Sequence, residues 1–78
     1  MKEKEIVVAI VTALVDDPSA VSVNILEGEK STILELHVAP GEVGKVIGRH
    51  GIIAKSIRTL VNAVSVKNGR RVILEILD

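Results

Sequence analysis

The stretch Val43-Gly44-Lys45-Val46-Ile47-Gly48-Arg49-His50-Gly51-Ile52-Ile53-Ala54-Lys55-Ser56-Ile57-Arg58-Thr59-Leu60 decides how the rest of the 78-residue chain is read. Its centre is Gly48-Arg49-His50-Gly51. Upstream, Val43, Val46 and Ile47 give a short helix its apolar side. Downstream, Ile53, Ile57, Leu60 and Val64 recur at helical spacing and predict a second helix from about Ile52 to Val66. The two helices are joined by a tight loop with glycine at each end. Glycine permits positive φ and lets a ligand backbone approach where a Cβ would otherwise stand. The loop also presents backbone N–H groups at the start of the second helix, where the macrodipole favours an anion such as phosphate. Arg49 lies inside the loop, Lys45 one turn before it and Lys55 one turn after. This is the outline of a phosphate cradle.

The flanking chain supplies the rest of a small domain. Glu3 to Val15 predicts a helix whose core stripe is Ile6, Ala9, Ile10, Ala13 and Leu14, with acids in the first turn to suit the dipole. Asp16-Asp17-Pro18-Ser19 ends it, because the residue before proline is pushed out of the helical region. Val21, Val23 and Ile25 alternate with polar residues, as do Leu34, Leu36 and Val38, so two strands flank the polar turn Glu27-Gly28-Glu29-Lys30-Ser31. Ala39-Pro40-Gly41 breaks the second strand, and Asn68-Gly69 ends the last helix before a final strand over 70–77. Two helices between the second and third strands permit a parallel crossover. The expected architecture is α+β, a three-stranded mixed sheet with helices packed on one face, in one domain over residues 1–78.

Composition narrows the function classes. Hydrophobic residues make up 47% and charged residues 26%, a globular balance. There is no aromatic residue, so the core is built from Val, Ile, Leu and Ala, and stacking platforms for bases are excluded. No cysteine is present for disulfides or thiolate metal sites. The longest apolar run, Ile6 to Val15 broken only by Thr12, is too short to span a bilayer, and the charged start Met1-Lys2-Glu3-Lys4-Glu5, with its two acids, is unlike the basic start of a signal peptide. A cytoplasmic location is expected. Net charge is zero, but residues 1–42 carry three lysines against eight acids, hence −5, and residues 43–78 carry seven cations against two acids, hence +5. One basic face suits a polyanion held with salt-sensitive affinity. His37 and His50 have no paired ligand spacing, so no metal is expected. Gly44-Lys45 is followed by Val46 where a nucleotide-binding P-loop needs Ser or Thr, and no nucleophile or acid-base pair stands out. Neither a cofactor nor catalysis is expected.

Val46-Ile47-Gly48-Arg49-His50-Gly51 followed by Ile52-Ile53-Ala54-Lys55-Ser56-Ile57-Arg58 resembles the GXXG segment of a KH domain, a single-stranded nucleic-acid module whose loop clamps about four backbone nucleotides. Over almost its whole length the chain is similar to the small bacterial single-KH RNA-binding proteins of the KhpA type. The resemblance implies the type II KH fold, with order α-β-β-α-(GXXG)-α-β. It implies single-stranded RNA as partner, with Gly48, Arg49, His50 and Gly51 at the phosphates, Ile47 and Ile52 lining a groove under the bases, and Lys45 and Lys55 supplying charge. It also implies an RNA chaperone or post-transcriptional regulator that forms a homodimer, or a heterodimer with another KH protein. One departure is Ala54, where many KH domains carry a larger aliphatic residue; Ile53 is the candidate to take over its packing.

Two other readings stay open at this point. Val8, Val11, Val15, Val61 and Val64 exceed what one core stripe per helix needs, and an exposed aliphatic patch would make the chain chiefly a protein-interaction adaptor. Reading duplex DNA through a helix-turn-helix is weaker, since the second helix offers only Ser56, Arg58, Thr59 and Asn62 to base edges.

Overall fold

Helix α1 (Lys2–Leu14) opens the chain in the computed structural model, which describes residues 1–77. A 3₁₀ turn (Pro18–Ala20) leads into β1 (Ser22–Glu27) and β2 (Thr32–His37). Helix α2 (Val43–Ile47), the loop turn Arg49–Gly51, helix α3 (Ile52–Lys67) and strand β3 (Val72–Ile76) complete it. β1 pairs antiparallel with β2 across a turn closed by the Gly28 N–H donating to the Ser31 carbonyl at 2.8 Å. β3 joins the other side of β2 in parallel, after the crossover through both later helices. This is the expected mixed sheet, and its order and topology are those of the type II KH fold.

Alternation places Val23, Leu34, Leu36, Val72 and Leu74 on one sheet face, where they meet Val7, Val11 and Val15 of the α1 segment, Val46 of α2, and Ile57 and Val61 of α3. Every member of this core is aliphatic, as the composition requires. Full burial of side chains such as Leu34, Leu36 and Ile57 contributes roughly 1.5–3 kcal/mol each.

The phase of both long helices differs from the sequence expectation. On α1 the buried positions are Glu3, Val7 and Val11, continued by Val15, whereas Ala9, Ala13 and Leu14 are exposed. On α3 they are Ala54, Ile57, Val61 and Ser65, and Leu60, expected inside, is half exposed at 50%. The supposed surplus therefore shrinks: Val11, Val15 and Val61 are core residues. Small side chains explain the shift. Ser65 lets α3 lie close on α1, and Ala54 is buried at the start of α3. The Ser65 hydroxyl donates to the Val61 carbonyl at 2.7 Å and is also 3.2 Å from Glu3 Oε2, which gives the buried carboxylate a partner.

α3 ends in a Schellman motif. The Arg70 N–H donates to the Ser65 carbonyl at 3.0 Å and the Gly69 N–H to the Val66 carbonyl at 3.1 Å, with Gly69 at φ 68°. Because this motif takes up residues 69 and 70, β3 starts at Val72 and not at Arg70.

Candidate nucleic-acid interface

The loop between α2 and α3 concentrates left-handed backbone. Gly48 has φ 76°, Gly51 φ 75°, and between them His50 has φ 58°, the one positive-φ residue other than glycine among the described residues. A left-handed non-glycine residue costs on the order of 1–2 kcal/mol, a strain that clusters at ligand clamps. Gly48 is required twice over: beyond its φ, a Cβ there would stand 2.6 Å from Cγ1 of Ile53. Ile53 is thus packed down onto the loop and against the core, the substitution for Ala54 that the sequence suggested.

This geometry leaves donors unspent. The Gly48 N–H closes α2 onto the Gly44 carbonyl, and the Gly51 N–H closes the loop turn onto the Gly48 carbonyl at 3.1 Å. Arg49 and His50 occupy the first two positions of that turn, where an N–H has no intrahelical acceptor. They lie at the start of α3, a helix of 16 residues whose dipole is positive there. The Arg49 and His50 side chains are exposed. Lys55 folds back over the loop, its Cε lying 3.8 Å from where a Gly51 Cβ would be.

The remaining expected site residues fall differently. Ile47 is half-buried at the end of α2 beside the loop. Ile52 is 62% exposed at the start of α3. Lys45 is drawn away into an ion-paired cluster, with its ammonium against Asp16 Oδ2 and 3.1 Å from Glu42 Oε1. Those two partners hold its pKa above the ordinary lysine value, through the hydrogen bond to Asp16 first and the one to Glu42 next. Glu42, read from sequence only as a helix-start acid, is the centre of this cluster. Its carboxylate is nearly buried and accepts the backbone N–H groups of Asp16 and, at 3.0 Å, Asp17. The Asp16 N–H above all holds the Glu42 pKa below the ordinary carboxylate value. The cluster fastens α2, and so the base of the loop, to the end of α1.

A groove lies between α3 and β3. It has a volume of about 280 Å³ and is lined by Arg58, Val61, Asn62, Arg71, Val72, Ile73 and Leu74. The Arg58 guanidinium donates from Nε and Nη2 to the Leu74 carbonyl at 3.3 and 3.2 Å, on the edge of β3 that faces away from β2. Arg58, Asn62 and Arg71 were not singled out from the sequence as groove residues. The available signal was the spacing of Lys55, Arg58 and Asn62, which puts three polar side chains on one side of α3.

Comparison with known proteins identifies the family. The KhpA/KhpB KH-domain model matches residues 4–76. The chain belongs to the KhpA/KhpB KH-domain family. It is 57% identical over 76 residues to the RNA-binding protein KhpA of Borreliella burgdorferi, covering 97% of this chain and 93% of that one. To the RNA-binding protein KhpA of Caldanaerobacter subterraneus it is 55% identical over 73 residues, 94% and 97% of the two chains. To that of Aquifex aeolicus it is 48% identical over 75 residues, 96% and 95%. No solved structure matches the chain. KhpA/KhpB KH domains are non-catalytic, in keeping with a site built of backbone donors and cations. Among the described residues no helix is long and apolar enough to cross a membrane.

Proposed function

We propose that this protein binds single-stranded RNA without catalysis, holding phosphates at Gly48, Arg49, His50 and Gly51, and serves as an RNA chaperone or post-transcriptional regulator. The observation that carries this reading is the run of positive-φ residues Gly48, His50 and Gly51, which leaves the Arg49 and His50 N–H groups without intrahelical acceptors at the start of α3. Relatives named RNA-binding proteins over nearly the full length support it. Lys55 and Arg49 add charge, and Ile47 and Ile52 offer aliphatic surface beside the loop. Without aromatic residues, bases are recognised through their edges by Asn62 and Arg71 and by the free edge of β3. The deciding experiment is RNA binding at stated salt by wild type and by R49D/H50D. Two carboxylates in the cradle repel phosphate while leaving the core untouched, so binding falls at least a hundredfold with an unchanged circular dichroism spectrum. Equal binding by both proteins would make the loop a mere turn.

A second reading, a dimerising adaptor, rests on its own observation. Ile52, Leu60 and Val66 are 62%, 50% and 69% exposed; Ile52 and Val66 lie with Ala63 on the side of α3 opposite its core positions, and Leu60 lies on the adjoining flank. Such an aliphatic stripe suits a homodimer, or a heterodimer with another KH protein. Sedimentation equilibrium at high micromolar concentration tests the homodimer: L60D/V66D shifts a dimeric wild type to monomer, whereas a wild type already monomeric removes that form.

A further inference from the structure

The cations of the described residues are distributed unevenly about α3. At the loop end stand Arg49 and Lys55, because Lys45 is neutralised by Asp16 and Glu42. Around the far end, about 24 Å away along a 16-residue helix, stand Lys30, Lys67, Arg70 and Arg71. All four are exposed, and none takes part in an ion pair among the described residues. The positive charge thus gathers away from the clamp loop.

Cavities follow α3 from Arg58 to its far end. The groove lined by Arg58 and Asn62 includes Arg71, and Arg71 also lines a second cavity of about 470 Å³ between the β1–β2 turn and the end of α3. Lys30, Arg70 and Val66 are in that second wall, where Glu29 is the one acid among three cations. Arg70 in turn lines a third cavity of about 520 Å³, with Lys2, Lys67 and the buried Glu3, whose carboxylate is held by Ser65. Arg71 and Arg70 are each shared by neighbouring cavities, so the three cavities lie side by side from the groove around the end of α3. The Schellman hydrogen bonds hold Arg70 at the junction. The outer face of the sheet offers no competing route for a polyanion, since Glu35 and Glu75 sit side by side on it in the parallel register.

We infer that Lys30, Lys67 and Arg70 form a second phosphate-binding site for the same RNA strand, engaged by nucleotides beyond those at the loop and groove. The inference rests on the RNA-binding reading and extends its footprint. Backbone N–H groups do the work at the loop, but the far end is the negative pole of α3, so only side-chain charge can hold phosphate there. Affinity at this site is therefore more salt-dependent than at the loop, by about 0.7 in the logarithmic slope for each phosphate contact.

The test compares oligoribonucleotides of about four and about twelve nucleotides, lengths that span a KH clamp and a longer single-strand footprint. Each is titrated into wild type and into K30E/R70E, with thermal melting to verify the fold. The expected result is that the variant weakens binding of the longer RNA at least tenfold, lowers its salt slope, and leaves the shorter RNA unaffected. In wild type, amide shifts at Lys30, Gly69 and Arg70 then appear with the longer RNA only, and shifts at Gly48 to Gly51 with both. This second readout stands even if the variant fails to fold. Unchanged binding of the longer RNA by K30E/R70E, or loop shifts without far-end shifts, overturns the second site while leaving the clamp intact. Absence of binding at either length overturns the clamp reading, and the second site with it.

Discussion

The two ends of α3 solve opposite problems with opposite means. At the start, left-handed residues from Gly48 to Gly51 leave the Arg49 and His50 N–H groups without partners. At the finish, Gly69 and Arg70 spend their N–H groups on the helix's own last carbonyls. The first end is open backbone chemistry; the second is closed backbone carrying cationic side chains. The ends are also held differently. The loop is braced from outside by Glu42 and Lys45 reaching α1, whereas the far end is fixed by its own local hydrogen bonds. An anion site made from amides needs a scaffold to hold them unsatisfied, and an anion site made from side chains does not.

The sharpest way to break this contrast is to put the same methyl group at both ends. Gly48→Ala meets Ile53 at 2.6 Å in addition to its positive φ, whereas Gly69→Ala meets nothing within 4 Å. The loop substitution should cost about 2–4 kcal/mol and the far-end one about 1–2 kcal/mol in urea unfolding. RNA binding should be lost in the first and kept in the second. Equal costs would mean that Ile53 moves aside and that the loop is less constrained than its contacts indicate.

Acid separates the two braces. Because the Asp16 N–H and its neighbours depress the folded-state pKa of Glu42, its stabilisation is present above the unfolded value and disappears as pH falls through the folded one. Glu42→Gln should therefore flatten the acid limb of the stability profile. As pH falls in wild type, hydrogen exchange should quicken at Gly48 to Gly51 before it does at Gly69 and Arg70. Simultaneous loss at both ends would show that the brace is not separable. On the alkaline side the sign reverses: the raised pKa of Lys45 gives stabilisation that is present below its unfolded value and lost as pH rises through the folded one.

The smallest expected effect concerns the lysines that flank the loop. Lys55→Met removes a charge lying over Gly51, and Lys45→Met removes one already matched by two carboxylates. RNA affinity should drop several-fold for the first and less for the second, measured at low salt, where such contacts weigh most. The reverse order would mean that Lys45 leaves Asp16 to meet phosphate.

Much of this was legible in the chain. The glycine spacing at 48 and 51, the Asn68-Gly69 stop, the polar turn after Glu27 and the two strand alternations follow from local conformational rules, and the structure keeps each element near its expected bounds. Helix phase was not legible. α1 is apolar on nearly all sides, so Ile6, Ile10 and Leu14 compete with Val7, Val11 and Val15 for the same core on equal hydrophobic terms. On α3, Ala54 and Ser65 are inside while Leu60 and Val66 are outside, the reverse of what hydrophobicity alone selects. At Ser65 the close approach of α3 to α1 decides it, since a small residue is needed where the two helices meet.

The sequence by itself determined the element order, the KH loop and the gathering of positive charge after Val43, because turn glycines, periodicity and charge are local properties. Only the tertiary structure decided which of those charges are available. Lys45 sits 29 residues from Asp16 in the chain and is paired with it in space. Arg70 and Lys30 come from different turns and share one cavity. Pairing and convergence depend on distances across the fold, and no spacing along the chain encodes them.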